Sequence, residues 1–537
     1  MVKRELVLVL ALALTSSCAP KEFKFQIQIV TAACDPKLDP FMGVQTLRVR
    51  VTGDGLTKPL EAISPVNSSS HEIKIPDIPA GTNRVVEVRA YDGDPKGGGK
   101  VVSIGRSQPF KVEDVIPDNF DGVPKTLTVF LRRVNAFTPP STSSDPKTCQ
   151  KMSAARAGHT ATLLPNGKVF IAGGYNIKAG TPEQQALDST EFFDPQSGQF
   201  TAGPRMLYGT TPIPKAFHTA TLLSTSQVLL WGGEEYVGTT NQATTKAVEL
   251  IFDAEYSTYT NAPMAKGCTK YARTRHVAVA DENGKVLIAG GFYKPAASGP
   301  AVLQDKVEWF DPQTAACGVV DGVTLPRKDA SGIAVLQGQY VAIAGGADTT
   351  QLRNELVFFK YSGSAFLQQT VTPQPRLTEG RRSAGIATLR NSEQILLVGG
   401  YSDIADPKPL ASSEIVTTKT SGVGAGPSVG LRGDPCTIGL NDGTVLIIGG
   451  RTVDGVGAPT RSDATTVLVT ADASGGVSPR GGPDLAVPRY AHTCTLLPDG
   501  SVLVLGGINE GAAVPPSPAT NEILSDAYIF TPSPSND

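Results

Sequence analysis

Seven apolar runs in the C-terminal two-thirds of the chain each end in a pair of glycines, beginning at Gly173, Gly232, Gly290, Gly345, Gly399, Gly449 and Gly506. Successive pairs lie 59, 58, 55, 54, 50 and 57 residues apart. A period of that length predicts a repeat architecture. In the first unit an alternating run at 159–164 leads into a hairpin at 165–167, and the apolar run 168–172 leads to the glycine pair. A third run at 189–194 turns through 195–198 into a short fourth run at 199–201. Asn-Gly or Asp-Gly marks the same tight hairpin at Asn283-Gly284, Asp442-Gly443 and Asp499-Gly500. The pattern predicts four antiparallel strands per unit.

Residues 22–134 lack the repeat. Period-two runs at 25–30, 46–51, 71–75, 84–89 and 126–131 alternate apolar and polar residues. They predict strands with one buried face, and six or seven of them in about 110 residues suggest an immunoglobulin-like or fibronectin-like β-sandwich. Residues 135–147, with Pro139-Pro140 and several serines, read as a linker.

Within the repeats, Arg489 and His492 precede the run ending in Gly506-Gly507, and Glu308 precedes Trp309, Phe310, Asp311 and Pro312. This order of Arg-x-x-His, hairpin, apolar-Gly-Gly and Glu-apolar-apolar-Asp resembles the kelch repeat. The resemblance covers residues 148–537. It implies an all-β chain in which the sandwich is followed by a seven-bladed β-propeller, each blade a four-stranded sheet whose first strand lines a central channel. The last unit stops after its third strand at 527–531. Residues 148–151, ahead of the first unit, are therefore expected to supply its fourth strand and close the ring.

Composition narrows the function. Charged residues are 18% of the 537, while glycines number 56 and prolines 41, which favours turns over long charged helices. The net charge of −2 gives no basic excess for nucleic acid. Lys3 and Arg4 precede an apolar stretch at 6–14, then Thr15, Ser16, Ser17 and Cys18. These residues read as a secretory signal over 1–17, too short in its apolar part to span a bilayer. The site at Cys18 resembles a bacterial lipoprotein box. That resemblance implies cleavage before Cys18, acylation of it, a tether at 18–21 and an extracytoplasmic, membrane-anchored protein. Ala19, where an inner-membrane signal would carry Asp, points to the outer membrane. Six further cysteines in an oxidising compartment permit fifteen pairings, among which spacing does not choose. The expected bonds are Cys268–Cys317, bracketing the third unit, Cys436–Cys494 on adjacent inner strands, and Cys34–Cys149 between the domains.

Strand direction puts the loops after each glycine pair, and the links between blades, on one face, the top. The long insertions at 176–187, 234–245, 293–304 and 509–524 all fall there, as a binding face requires. Alignment on the glycine pairs places one cation per blade where the inner strand begins: Arg156, Lys215, Arg273, Lys328, Arg382, Arg432 and Arg489. Two readings stand side by side. Seven cations at a mouth would focus a positive potential and grip carboxylates, and some kelch domains hold acidic peptides through arginines at comparable positions. Alternatively each cation pairs internally with an acid such as Glu191, Glu249, Glu308, Glu355 or Glu414. Four of the five histidines, His159, His218, His276 and His492, share one repeat position in blades 1, 2, 3 and 7 and join the candidate ligand-binding set. Lacking evident carboxylate or thiolate companions, they are assigned no metal, and no cofactor is expected.

Enzymes of the same superfamily offer a second class. The galactose-oxidase group carries an adjacent Tyr-His pair at this position. Here Tyr490, Ala491 and His492 depart from it, and no catalytic residues are assigned. The expected function is thus a lipid-anchored module binding a protein or polysaccharide through the top of the propeller, an acidic ligand suiting the cations best. The alternative is a kelch-type carbohydrate-active enzyme, of oxidase or isomerase class, using the same mouth.

Overall fold

The computed structural model describes residues 6–8, 25–31, 34–66, 78–112, 125–177, 183–237, 242–245, 249–255, 258–261, 271–295, 299–335, 339–389, 394–417, 422–453, 460–472, 475–511 and 521–534. Among these there is no α-helix, only the 3-10 turns Pro36–Leu38 and Pro95–Gly97. The chain is all-β, with an N-terminal mixed sheet followed by seven four-stranded sheets.

Alternation builds the N-terminal sheet. In the strand Thr46–Thr52, Leu47, Val49 and Val51 are buried and the residues between them are not. They pack with Val86, Val88 and Ala90 of Gly81–Tyr91, Val129 and Leu131 of Lys125–Arg133, and Ile29 of Phe25–Thr31. Each such side chain contributes about 1.5–3 kcal/mol on full burial. The order from one edge is Leu6–Leu8, Phe25–Thr31, Lys125–Arg133, Val101–Arg106, Gly81–Tyr91, Thr46–Thr52 and Leu60–Pro65. Phe25–Thr31 and Lys125–Arg133 run parallel, with Phe25 opposite Lys125. The arrangement is compatible with the expected sandwich. The strand expected at 71–75 lies outside the described residues.

Each blade follows the first: Thr160–Leu163, Val169–Ala172, Thr190–Asp194 and Gln199–Ala202 pair in sequence order, all antiparallel. The second strands Val169–Ala172, Val228–Trp231, Val286–Ala289, Val445–Ile448 and Val502–Leu505 are buried at every residue. Each lies mid-sheet with a neighbouring blade on both faces, which is why it reads as an unbroken apolar run where outer strands alternate. Blades interlock through these faces. Phe170 of blade 1 stacks on Phe252 of blade 2, centroids 4.2 Å apart. Leu287 and Val307 of blade 3 pack with Val341 and Phe359 of blade 4. The glycine pairs turn the second strand away at positive φ, +60° and +90° at Gly173 and Gly174. A side chain on Gly173 would collide with the Lys215 carbonyl of the next blade.

The ring closes from both chain ends, but not through residues 148–151. Ala136–Thr138 supplies the fourth strand of blade 7, with Phe137 opposite Phe530 and Thr138 opposite Ile529. The segment read as a linker therefore begins with a blade strand. Phe137 is the physical reason, since its ring lies 5.3 Å from that of Phe530 among the core residues of blades 6 and 7. Thr148–Lys151 instead crosses over, with the Gln150 amide donating to the Pro140 carbonyl.

The two parts are joined firmly. Only Val134 and Asn135 separate the last strand of the sheet from the blade strand. Cys34 and Cys149 are disulfide-bonded, Cα atoms 5.2 Å apart. Arg106 donates to the Asp499 carbonyl at 3.1 Å, and Arg132 lies 3.9 Å from the Asp499 carboxylate. Asp499 sits in a lower hairpin, so the sheet seats on the underside of the propeller and leaves the top open.

Candidate functional site

Every blade does place a cation at the start of its inner strand, but the side chain points into the blade. Arg156 donates to the Gly173 carbonyl at 2.8 Å and to Glu191 at 2.6 Å. Arg273 repeats this on Gly290 and Glu308, and Lys215 on the Gly232 carbonyl at 2.7 Å. Arg432 reaches Gly449 and lies 3.6 Å from Asp463. Arg489 binds Asp526 with two nitrogens, at 2.7 and 2.9 Å. These five side chains are buried, so they bolt strand one to the glycine turn and to the third strand, and do not form an open ring at the mouth. In blades 4 and 5 the equivalent residues are Arg327 and Arg381, on Gly345 and Gly399. The first hairpin is one residue longer there, so alignment on the glycines selected Lys328 and Arg382 instead. Lys328 lies 5.8 Å over the Phe292 ring.

The histidines are likewise structural. His159, His218, His276 and His492 are buried. Burial pushes all four below the usual imidazole range, His218 and His492 to about 3, with Lys215 and Arg489 adding to it respectively. They are neutral and add no charge to the mouth. The Cys436–Cys494 bond is present, Cα atoms 6.1 Å apart. Cys317 is disulfide-bonded, and its expected partner Cys268 lies outside the described residues.

The mouth is built two residues after each bolting cation. Gly158, Phe217, Arg275, Asp329, Ser383, Asp434 and Ala491 all adopt φ between 48° and 59°. Their peptides are linked around the axis. The Gly158 amide donates to the Ala491 carbonyl, Phe217 to Gly158, Arg275 to Phe217, Asp329 to Arg275, Ser383 to Asp329 and Asp434 to Ser383, at 2.8–3.3 Å. A left-handed residue turns its side chain out of the strand, and here that direction is toward the axis.

These residues line a cavity of about 610 Å³ at the top, with Tyr175, Tyr401, Arg382, Arg451 and Tyr490. Hairpins that follow the glycine pairs stand around it, including Tyr175–Ile177 with Gln184–Ala186 and Ile508–Glu510 with Asn521–Ile523. Its charges are mixed. The Arg275 guanidinium lies over Phe217, 4.0 Å from the centroid, reached by water yet walled in by protein. Burial opposes its charge, but Asp329, Glu234 and Asp434 hold it above the ordinary range. Arg382 stacks on Tyr401, donates to the Asp403 carbonyl at 2.8 Å and lies 3.9 Å from Asp329. Arg451 lies over Tyr490 and grips Glu510 at 2.7 and 2.8 Å. Tyr401 donates to Asp434 at 2.7 Å. Burial pushes the Asp329 and Glu234 carboxyls up and the Tyr175 phenol to about 12.

Of the sequence-selected cations, only Arg382 is brought to this cavity, with His159 and His492 at its edge. Arg275, Asp329, Asp434, Tyr401 and Arg451 were missed. Their signal is two repeat positions that vary in chemistry from blade to blade: the second residue after the bolting cation for Arg275, Asp329 and Asp434, and the residue after the glycine pair for Tyr401 and Arg451.

A family model for the KLHDC2/KLHL20/DRC7 Kelch-repeats domain matches residues 158–400. No curated protein matches the chain. A solved structure described as "Structure of YjhT" is similar at 12% identity, covering 71% of this chain and 96% of that one, with a TM-score of 0.41.

Proposed function

Starting from the fact that residues of this chain form a seven-bladed kelch β-propeller, a fold that typically serves as a protein-binding scaffold, we propose that the protein is a lipid-anchored, extracytoplasmic binding module whose propeller mouth takes a protein or glycan ligand. The observation that carries this reading is the cavity at the uncovered end, where Arg275, Arg382 and Arg451 stand beside Asp329 and Asp434. Guanidinium groups held flat against aromatic rings present their remaining donors in a fixed fork, suited to carboxylates. An acidic side chain or an acidic sugar would meet Arg275 first, since Arg451 is engaged by Glu510.

The experiment is partner capture from the native cell envelope with the wild-type chain and an Arg275→Ala, Arg382→Ala variant. The variant is expected to melt as wild type and lose the partner at least tenfold. Undiminished capture would remove the mouth as the binding site. One observation favours the second reading, a carbohydrate-active enzyme: Asp329, whose carboxyl is pushed up by burial, lies in the same cavity as the Tyr401–Asp434 pair. Perturbed acids in a cleft are the usual setting for proton transfer. Turnover of a sugar by the purified chain, abolished in Asp434→Asn, would establish it in place of simple binding.

A further inference from the structure

Histidines join the inner strands, and one seam departs from the pattern. His159 Nε2 shares a hydrogen bond with Thr493 Oγ1 at 3.0 Å, His218 with Thr160 at 3.0 Å and His276 with Thr219 at 2.9 Å. In each case the threonine follows the histidine position of the preceding blade. All four rings are seated alike, Cε1 against the first glycine of the preceding pair: Gly506, Gly173, Gly232 and, for His492, Gly449. In the blade that precedes His492 the threonine position is occupied by Cys436, and Cys436 is bonded to Cys494. Strand alternation explains the bond. Thr493 points to blade 1, so Cys494 points back to blade 6. His492 is left with neither ring nitrogen hydrogen-bonded among the described residues, though it is only 9% exposed. A buried polar group without a partner costs about 1–3 kcal/mol.

We propose that Cys436, Cys494 and His492 form a redox site in the wall of the mouth, opened by a dithiol reductant, in which the freed Cys436 thiol takes the threonine's place as hydrogen-bond partner of His492. A reductant thiolate attacks one sulfur and the S–S bond breaks, giving a mixed disulfide. The second thiol of the reductant resolves it and leaves as a disulfide. Two electrons pass to the cystine, and each Sγ takes one proton. The neutral imidazole has one nitrogen free to accept the S–H of Cys436. Both cysteines are half-buried. The residue before Cys436 is Pro435, which lines the cavity, as does His492. The seam thus has two closed states, one covalent and one hydrogen-bonded, whatever the mouth binds.

The test uses the full chain. Graded dithiothreitol followed by iodoacetamide and peptide mass analysis should show Cys436 and Cys494 alkylated while the circular dichroism stays native. Opening only together with global unfolding overturns the proposal. In a disulfide-free pair, Cys436→Thr with Cys494→Ala should melt higher than Cys436→Ala with Cys494→Ala by roughly 2–4 °C, as the hydrogen bond is restored. The gap should vanish in a His492→Phe background. Equal melting of the pair with His492 intact overturns the assigned role of His492.

Discussion

Arg156 and Arg275 show what a repeat position means for a single side chain. Both belong to the start of an inner strand, yet one is sealed against Glu191 and the other opens on the cavity. The difference is backbone conformation, since two residues on from the bolting cation the chain turns left-handed. Sequence spacing could find the cation but not the turn, so the acids expected as internal partners, Glu191, Glu308 and Glu414, were legible while the mouth was not. In blades 4 and 5 even the cation was misplaced, because one extra hairpin residue is invisible when units are aligned on their glycines. The histidines give a prediction at this scale. Their pKa values are depressed in the folded chain, to about 3 for His218 and His492, so from there up to about pH 6.5 the unfolded chain binds more protons. Stability therefore rises with pH across that window and is lost on acidification. Urea midpoints measured at pH 7.5 and 5 should fall toward the lower pH, with His218 and His492 each accounting for up to about 2 kcal/mol. Replacing His218 by Gln should flatten the slope; an unchanged slope would show that other groups set it.

At the scale of elements, the seven blades were readable because each has an apolar second strand ending in a glycine pair, and four of them add an Asn-Gly or Asp-Gly hairpin. The strand Ala136–Thr138 was not readable, because three residues beside two prolines carry no periodicity, and its partner Ala527–Thr531 lies almost 400 residues away. Only the closed ring identifies it. Phe137 is its anchor, buried at 6% exposure against Phe530. Phe137→Ala should destabilise the propeller by about 3–5 kcal/mol, as cavities of that size do. Denaturant unfolding would check it. A loss under 1 kcal/mol would mean that blade 7 is held by its other three strands alone.

For the whole molecule, the parallel register fixes a direction. Lys125–Arg133 ends at the propeller, where Arg132 approaches Asp499, and Phe25 lies beside Lys125 at the other end of that strand. Nine strand residues span roughly 25 Å. Phe25 is therefore held away from the propeller underside, and the mouth faces away from both. A tether at Cys18 would then leave the cavity directed outward from a membrane. Conversion of Cys18 to Ala should move the protein from the detergent-rich to the aqueous phase in detergent partitioning. Retention in the detergent phase would rule out anchoring through that cysteine.

The linked peptides at the mouth have one more consequence. Gly158, Phe217, Arg275, Asp329, Ser383, Asp434 and Ala491 share a conformation and a chain of amide-to-carbonyl hydrogen bonds, but no chemistry. The aperture is set by main chain, and the side chains are passengers on it. None of the seven is β-branched, as left-handed φ demands. Within that restriction the position behaves as a seven-character code wheel: the side chains shown to the cavity can be exchanged one blade at a time while the frame that displays them stays the same.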